Sequence, residues 1–213
     1  MDKKIIVPFI NQEPEDGKIP ENATTIQIGT NNWPKDFPYS PSVKASLWHN
    51  GSFFFINYEV DEKYIAALAS KDNGEVWKDS CAEFFVALDD KGYYNIEANC
   101  IGKILMSHRK SRKENVEYAD EKILDNISRT SSLEAKPFPA IASTQPWTLR
   151  LAIPASAFFK HKLESFNGVE ARCNFYKCGD DLPEPHFLSF NPIKTETPDF
   201  HRPEFFADIY FNP

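Results

Sequence analysis

The chain has 213 residues, 41% hydrophobic and 26% charged, enough for one globular domain with a sizeable core. Its formal net charge of −7 leaves no basic field to neutralise phosphates, which argues against a nucleic-acid partner. Aromatic residues reach 14%, including 18 Phe, a content that favours β-structure and flat-ring surfaces over helix bundles.

Met1 to Ile10 starts basic, but its apolar stretch is short and broken by Pro8. That is too short for a secretory signal, and no run in the chain is long enough to span a membrane. The expectation is a cytoplasmic chain without a membrane partner, or a periplasmic or extracellular one if a signal peptide has been removed. Residues 1–40 read as an extension or edge strand of a single domain covering 1–213.

Period-two patterns follow. Val43, Ala45 and Leu47 alternate with Lys44, Ser46 and Trp48; Asn50-Gly51 then predicts a hairpin turn, since both residues tolerate positive φ. Phe54, Ile56, Tyr58 and Val60 share one face of the next strand. Residues 64–70 fit a short helix or a strand. In the stretch WKDSCAEFFVAL, Ala82, Phe84, Val86 and Leu88 take one face, assigned to the core; Trp77, Asp79, Cys81, Glu83 and Phe85 take the other. After the turn at Asp89-Asp90-Lys91-Gly92 the chain returns with Tyr94, Ile96, Ala98 and Cys100 inward and Asn95, Glu97 and Asn99 outward. Residues 107–145 are charged and weakly patterned, predicting long loops and one or two edge strands; within them Arg109-Lys110-Ser111-Arg112-Lys113 reads as a solvated loop. Further strands are predicted over 147–153, 171–178, 187–191 and 205–211, with a turn or two of helix over 156–162. Many short strands punctuated by turns predict an all-β fold, an antiparallel β-sandwich with few short helices.

The hairpin from Trp77 to Asn99 carries the candidate chemistry. Its outer face presents Glu83, Glu97, Asn95 and Asn99 with Trp77 at one end; opposed side chains on such a pair stand about 5 Å apart. A flat ring with carboxylates and amides suits a sugar, whose C–H face stacks and whose hydroxyls hydrogen-bond. The same pattern also fits a sheet face that is only solvated. Two carboxylates across a strand pair are also what a glycosidase uses, making Glu83 and Glu97 the alternative catalytic pair. His186 and His201 lie among prolines and read as loop hydrogen-bonders rather than metal ligands. Cys81, Cys100, Cys173 and Cys178 form no Cys-x-x-Cys pair; Cys81 and Cys100 read as buried thiols, with a bridge between them left open. No Gly-x-Ser-x-Gly elbow and no glycine-rich phosphate loop occur.

The runs VWKDSCAEFFVALDDKGYYNIEANCIGKIL, WTLRLAIP, CNFYKCGDDLPEPHFLSFNPI and PDFHRPEFFADIYF, in this order from about Lys44 to the C-terminus, resemble the family 9-like carbohydrate-binding modules, part of the DOMON-like β-sandwiches. The resemblance implies a jelly-roll or immunoglobulin-like sandwich that binds saccharides without catalytic residues and accompanies enzymes of polysaccharide catabolism. It implies a sugar held between two aromatic rings. The first ring matches Trp77, and the acidic residue that bonds hydroxyls matches Glu83. The second ring falls at Phe190, where the family has Trp; a basic family residue falls at Glu97. The ligand-binding set is then Trp77, Glu83, Glu97, Asn99 and Phe190, with no catalytic residue. No cofactor is expected beyond a possible structural Ca²⁺, for which Asp89 and Asp90 are weak candidates. A haem-binding DOMON-type domain is a further alternative; Met106 and His108 are too close in sequence to serve as two axial ligands from one strand.

Overall fold

A computed structural model describes residues 4–11 and 18–213. In chain order its strands are β1 Lys4–Val7, β2 Thr24–Gln27, β3 Thr30–Asn31, β4 Ser42–His49, β5 Phe53–Asp61, β6 Tyr64–Ala67, β7 Cys81–Ala87, β8 Tyr93–Asn99, β9 Ile104–Arg109, β10 Glu117–Tyr118, β11 Ser128–Ser131, β12 Phe138–Ala142, β13 Trp147–Pro154, β14 Glu170–Cys178, β15 Phe187–Ser189 and β16 Ala207–Phe211. The helix α1, Glu121–Asp125, and 3₁₀ turns at Val76–Lys78, Ala155–Ala157 and Pro203–Phe205 complete the described elements.

The strands form a sandwich of two mainly antiparallel sheets. The larger runs β1-β16-β14-β7-β8-β9-β10, with β15 on β14 and β3 on β15; the smaller runs β11-β13-β5-β4-β2; β6 and β12 pair separately. β1 joins β16 in parallel. Residues before 40 thus supply β1, β2 and β3. The alternating residues meet between the sheets: Phe54 of β5 contacts Phe84 of β7 at 5.3 Å between ring centroids and Phe211 of β16 at 5.0 Å. Phe84 also packs on Phe175, its register partner on β14. These rings and the aliphatic side chains around them are buried, and their removal from water supplies most of the drive to fold.

Local chemistry sets the turns. At the β4–β5 hairpin Asn50 Oδ1 accepts from the N–H groups of Ser52 and Phe53, and Gly51 takes φ +88°. Residues 64–70 resolve into the strand β6 followed by an irregular stretch, and 156–162 into a 3₁₀ turn starting at Ala155. Residues 107–145 hold more structure than their pattern announces: β10, β11 and β12 as well as α1, whose N-cap Asp120 accepts from Ile123 N–H at 2.9 Å.

One buried polar network ties the sheets together. Lys177 Nζ lies 2.8 Å from Glu62 Oε2, and neither side chain is exposed. Trp147 Nε1–H donates to Glu62 Oε1 at 2.7 Å, and His186 Nε2 lies 2.8 Å from Lys177 Nζ. Burial would raise the Glu62 carboxyl, but Lys177 and His186 override it and hold the group down at about 2. His186 is thereby a member of a core ion-pair network.

Candidate functional site

Alternation along β7 and β8 holds: Ala82, Phe84, Val86, Tyr94, Ile96 and Ala98 enter the core between the sheets, and Glu83 stands directly opposite Glu97 on the other face. The exposure expected for that face does not hold. Glu83 is 2% exposed, Glu97 5%, and Asn95 and Asn99 are fully buried. The reason is a roof built from two segments remote in sequence, around Trp33 and around Ile193 to Phe206, which form a second apolar cluster with Phe85, Tyr93 and Tyr176. Trp33 Nε1–H donates to Thr195 O at 2.8 Å, joining the two roof segments. Tyr176 donates its hydroxyl to Phe200 O at 3.1 Å, and its ring stacks on Phe200 at 4.2 Å.

The roof leaves an opening. A cavity of about 290 Å³ runs from solvent to the two carboxyl groups. Trp77, in the 3₁₀ turn before β7, forms part of its wall and is half-buried; Phe187 and Phe200 supply other rings, and Arg109, Arg112, Lys113, Asp180, Asp199 and His201 further polar surface. The turn that presents Trp77 is anchored by Asp79, which is buried and accepts from the N–H groups of Leu68 and Ala69 and from Asn99 Nδ2 at 2.9 Å.

Electrostatics at the floor follow from burial. Loss of water, with the Glu97 charge beside it, raises the Glu83 carboxyl well above the usual carboxylate range. Burial pushes Glu97 up to about 7, against the pull of Arg109, and Asp180 up to about 6. Glu83 Oε1 accepts from the Cys178 thiol at 3.0 Å. A hydrogen-bond chain crosses the face: Arg109 donates to Ser107 Oγ through Nε at 2.9 Å and Nη2 at 2.6 Å, Ser107 donates to Asn95 Oδ1 at 2.5 Å, and Asn95 donates to Glu97 Oε1 at 2.9 Å. The floor thus offers carboxyl groups that both donate and accept near neutrality, a mixture suited to hydroxyl groups.

The structure brings Trp77, Glu83 and Glu97 together and leaves Asn99 and Phe190 outside the cavity. Asn99 is occupied by Asp79, Ala69 O and Lys103 N–H, bonds that hold the 77–80 turn. Phe190 belongs to the main core, because alternation from β15 turns Leu188 and Phe190 inward. The ring at the cavity is Phe187, the register partner of Cys178. Arg109, Asp180, Phe187, Phe200 and His201 are cavity residues the hairpin pattern did not single out. Arg109 was legible in principle: β9 pairs with β8 so that Leu105, Ser107 and Arg109 oppose Glu97, Asn95 and Tyr93 and share their face. Of the run at 109–113, residues 110–113 are exposed as expected, while Arg109 is buried at the end of β9; Arg109, Arg112 and Lys113 line the cavity.

His201 and His186 are held apart in separate environments. His201 Nδ1 lies 3.0 Å from the Tyr93 hydroxyl, and burial together with Arg109 and Arg112 presses its imidazole down to about 3. Met106 is buried in the main core and His108 packs on Tyr94 at 4.8 Å, so neither reaches the cavity. Asp89 accepts from Lys91 N–H at 2.9 Å and faces His161 at 3.5 Å; Asp90 is exposed. All four cysteines are free and buried; Cys100 lies in the main core and Cys81 in the second cluster, so no bridge joins them.

A sequence profile described as carbohydrate-binding family 9 matches residues 17–211. Among solved structures, a protein from Bacteroides uniformis proposed to bind carbohydrate is 38% identical over 100% of both chains, with a TM-score of 0.91. A family 9 module from Caldicellulosiruptor kristjanssonii in complex with cellotriose is 12% identical, over 99% of this chain and 94% of that one, with a TM-score of 0.61. Its complex with glucose aligns at 13% identity over 99% and 96%, again with a TM-score of 0.61; identities this low speak for the fold alone. No curated protein matches the chain.

Proposed function

This chain belongs to carbohydrate-binding family 9, a family of non-catalytic modules, and from that premise we propose that the cavity between Trp77 and the Glu83–Glu97 pair is its saccharide site. The observation that carries the reading is the meeting of a half-buried indole and two buried carboxyl groups in one open cavity. The Trp77 ring stacks on the C–H face of a pyranose. Glu83 and Glu97 exchange hydrogen bonds with its hydroxyls, and Phe187 closes the opposite side in place of Phe190. The roughly 290 Å³ of space is at the small end of ligand sites, which favours one or two sugar rings, such as a chain end, over an extended polymer segment. Affinity is modest, since few contacts offset the loss of water and of ligand freedom.

Calorimetry with mono- and oligosaccharides, comparing the native chain with Trp77→Ala, tests this. The expected result is a loss of about tenfold or more in affinity, the magnitude of one stacked ring plus its buried area. Undiminished binding by Trp77→Ala would remove the site from this cavity.

A further inference from the structure

The acidic floor of the cavity contrasts with one of its sides. Arg109, at the end of β9, is only 6% exposed and lines the cavity, yet its hydrogen bonds go to Ser107 Oγ and the Arg112 carbonyl and none to a carboxylate. Among the described residues, no acid lies within ion-pair distance of Arg109 or Lys113, whereas Lys110 pairs with Glu114 and Arg112 with Asp199, at 3.2 and 3.7 Å. His201, in the same corner, is held neutral by its buried position beside two guanidinium groups. The corner continues into a second groove lined by Lys110, Arg112, Lys113 and Arg202; its two acids, Asp199 and Glu204, are already paired with Arg112 and Arg202.

A largely buried guanidinium that lines an open cavity with no carboxylate in direct contact, and meets Glu97 only through Ser107 and Asn95, is costly unless something negative arrives. In a chain of net charge −7, a cationic corner beside the ligand space is a local departure from the surrounding field. The acids lining the cavity offset it only in part: Asp199 is paired with Arg112, Glu83 is kept protonated by burial, and Glu97 and Asp180 are pushed up to about 7 and about 6. We infer that the cavity selects an acidic saccharide, a sugar bearing a carboxylate such as a uronic acid, whose anion faces Arg109, Arg112 and Lys113 while its ring lies against Trp77. This rests on the cavity being the saccharide site. Arg109 supplies a planar, fixed fork for the carboxylate, and the exposed Arg112 and Lys113 draw the anion in.

Calorimetry on the full chain decides it, with glucuronate and galacturonate oligomers set against glucose and galactose oligomers of equal length. The expected result is binding about tenfold tighter for the acidic member of each pair, the scale of a charge-assisted contact. That preference shrinks as salt rises from about 0.05 to about 0.5 M. In the double variant Arg112→Gln, Lys113→Gln, which alters only exposed side chains, the acidic-to-neutral affinity ratio falls toward one. Equal affinity of the native chain for acidic and neutral oligomers would overturn the inference and leave the saccharide site standing. An acidic preference undiminished in the double variant would overturn the assignment to this corner. A folded chain that binds no saccharide at all would overturn both.

Discussion

Glu83 on β7 and Glu97 on β8 are register partners, and both carboxyl groups are buried at the bottom of the same cavity. Neither ionises easily there, so the native state holds protons that the unfolded chain has released above its ordinary glutamate range. For Glu97 the stabilising contribution is full below about 4.5 and declines as pH climbs to the folded value of about 7. Asp180 acts in the same sense, up to about 6. Thermal melts across roughly pH 5 to 8, the window those values define, should show the native chain losing stability relative to Glu97→Gln, by on the order of 1–3 kcal/mol. Parallel curves for the two proteins would contradict the buried, protonated pair.

Glu62 has the opposite sign. Its folded value of about 2 lies below the unfolded one, so its contribution is complete above about 4.5 and disappears as pH falls toward 2. The ion pair it forms with Lys177 is fully buried, and removing one member strands the other charge. Lys177→Met should cost about 3–5 kcal/mol in urea denaturation, with part of the loss recovered when Glu62 is also made apolar. Additive losses in the double variant would show that the two groups do not depend on each other.

Asn99 and Phe190 should behave as structural residues. Asn99→Ala leaves Asp79 short of a partner and should destabilise the chain by about 1–3 kcal/mol. Phe190→Ala removes a core ring, at about 3–5 kcal/mol. Saccharide affinity of the protein that remains folded should change far less than in Trp77→Ala; a loss comparable to that of Trp77→Ala would place these residues at the ligand.

The thiols offer a further check. Burial pushes Cys81 up to about 12 and raises Cys178 well above the ordinary thiol range. A colourless-to-coloured thiol reagent should find no reactive cysteine in the folded chain at neutral pH and all four in denaturant. Prompt reaction of one thiol in the native state would mean that the cavity floor opens.

Strand positions and facing were legible wherever a local rule governs them. Alternation assigned Glu83 and Glu97 to one face and Phe84 and Ile96 to the other, and the Asn50-Gly51 pair marked its hairpin. What alternation cannot report is what lies over a face. The outer side of β7–β8 reads as solvated until Trp33, Ile193 and Phe200 close over it, and those residues come from opposite ends of the chain. Phe190 shows the same limit differently: motif order pointed to this segment, but alternation through β15 turns Phe190 into the core and leaves Phe187 lining the cavity. The helix at Glu121–Asp125 escaped notice because five residues are too few for a helical period to emerge.

The bond from Trp33 to Thr195 gives the cavity a history as well as a shape. Its roof is closed by residues 191–206, which leave the ribosome after every strand of both sheets except β16. A nascent chain halted before Asn191 has its hairpins but no enclosed place for a ligand. For the saccharide site proposed above, affinity therefore reports completed folding, and a ligand bound there would favour the folded roof by an amount that grows with its concentration.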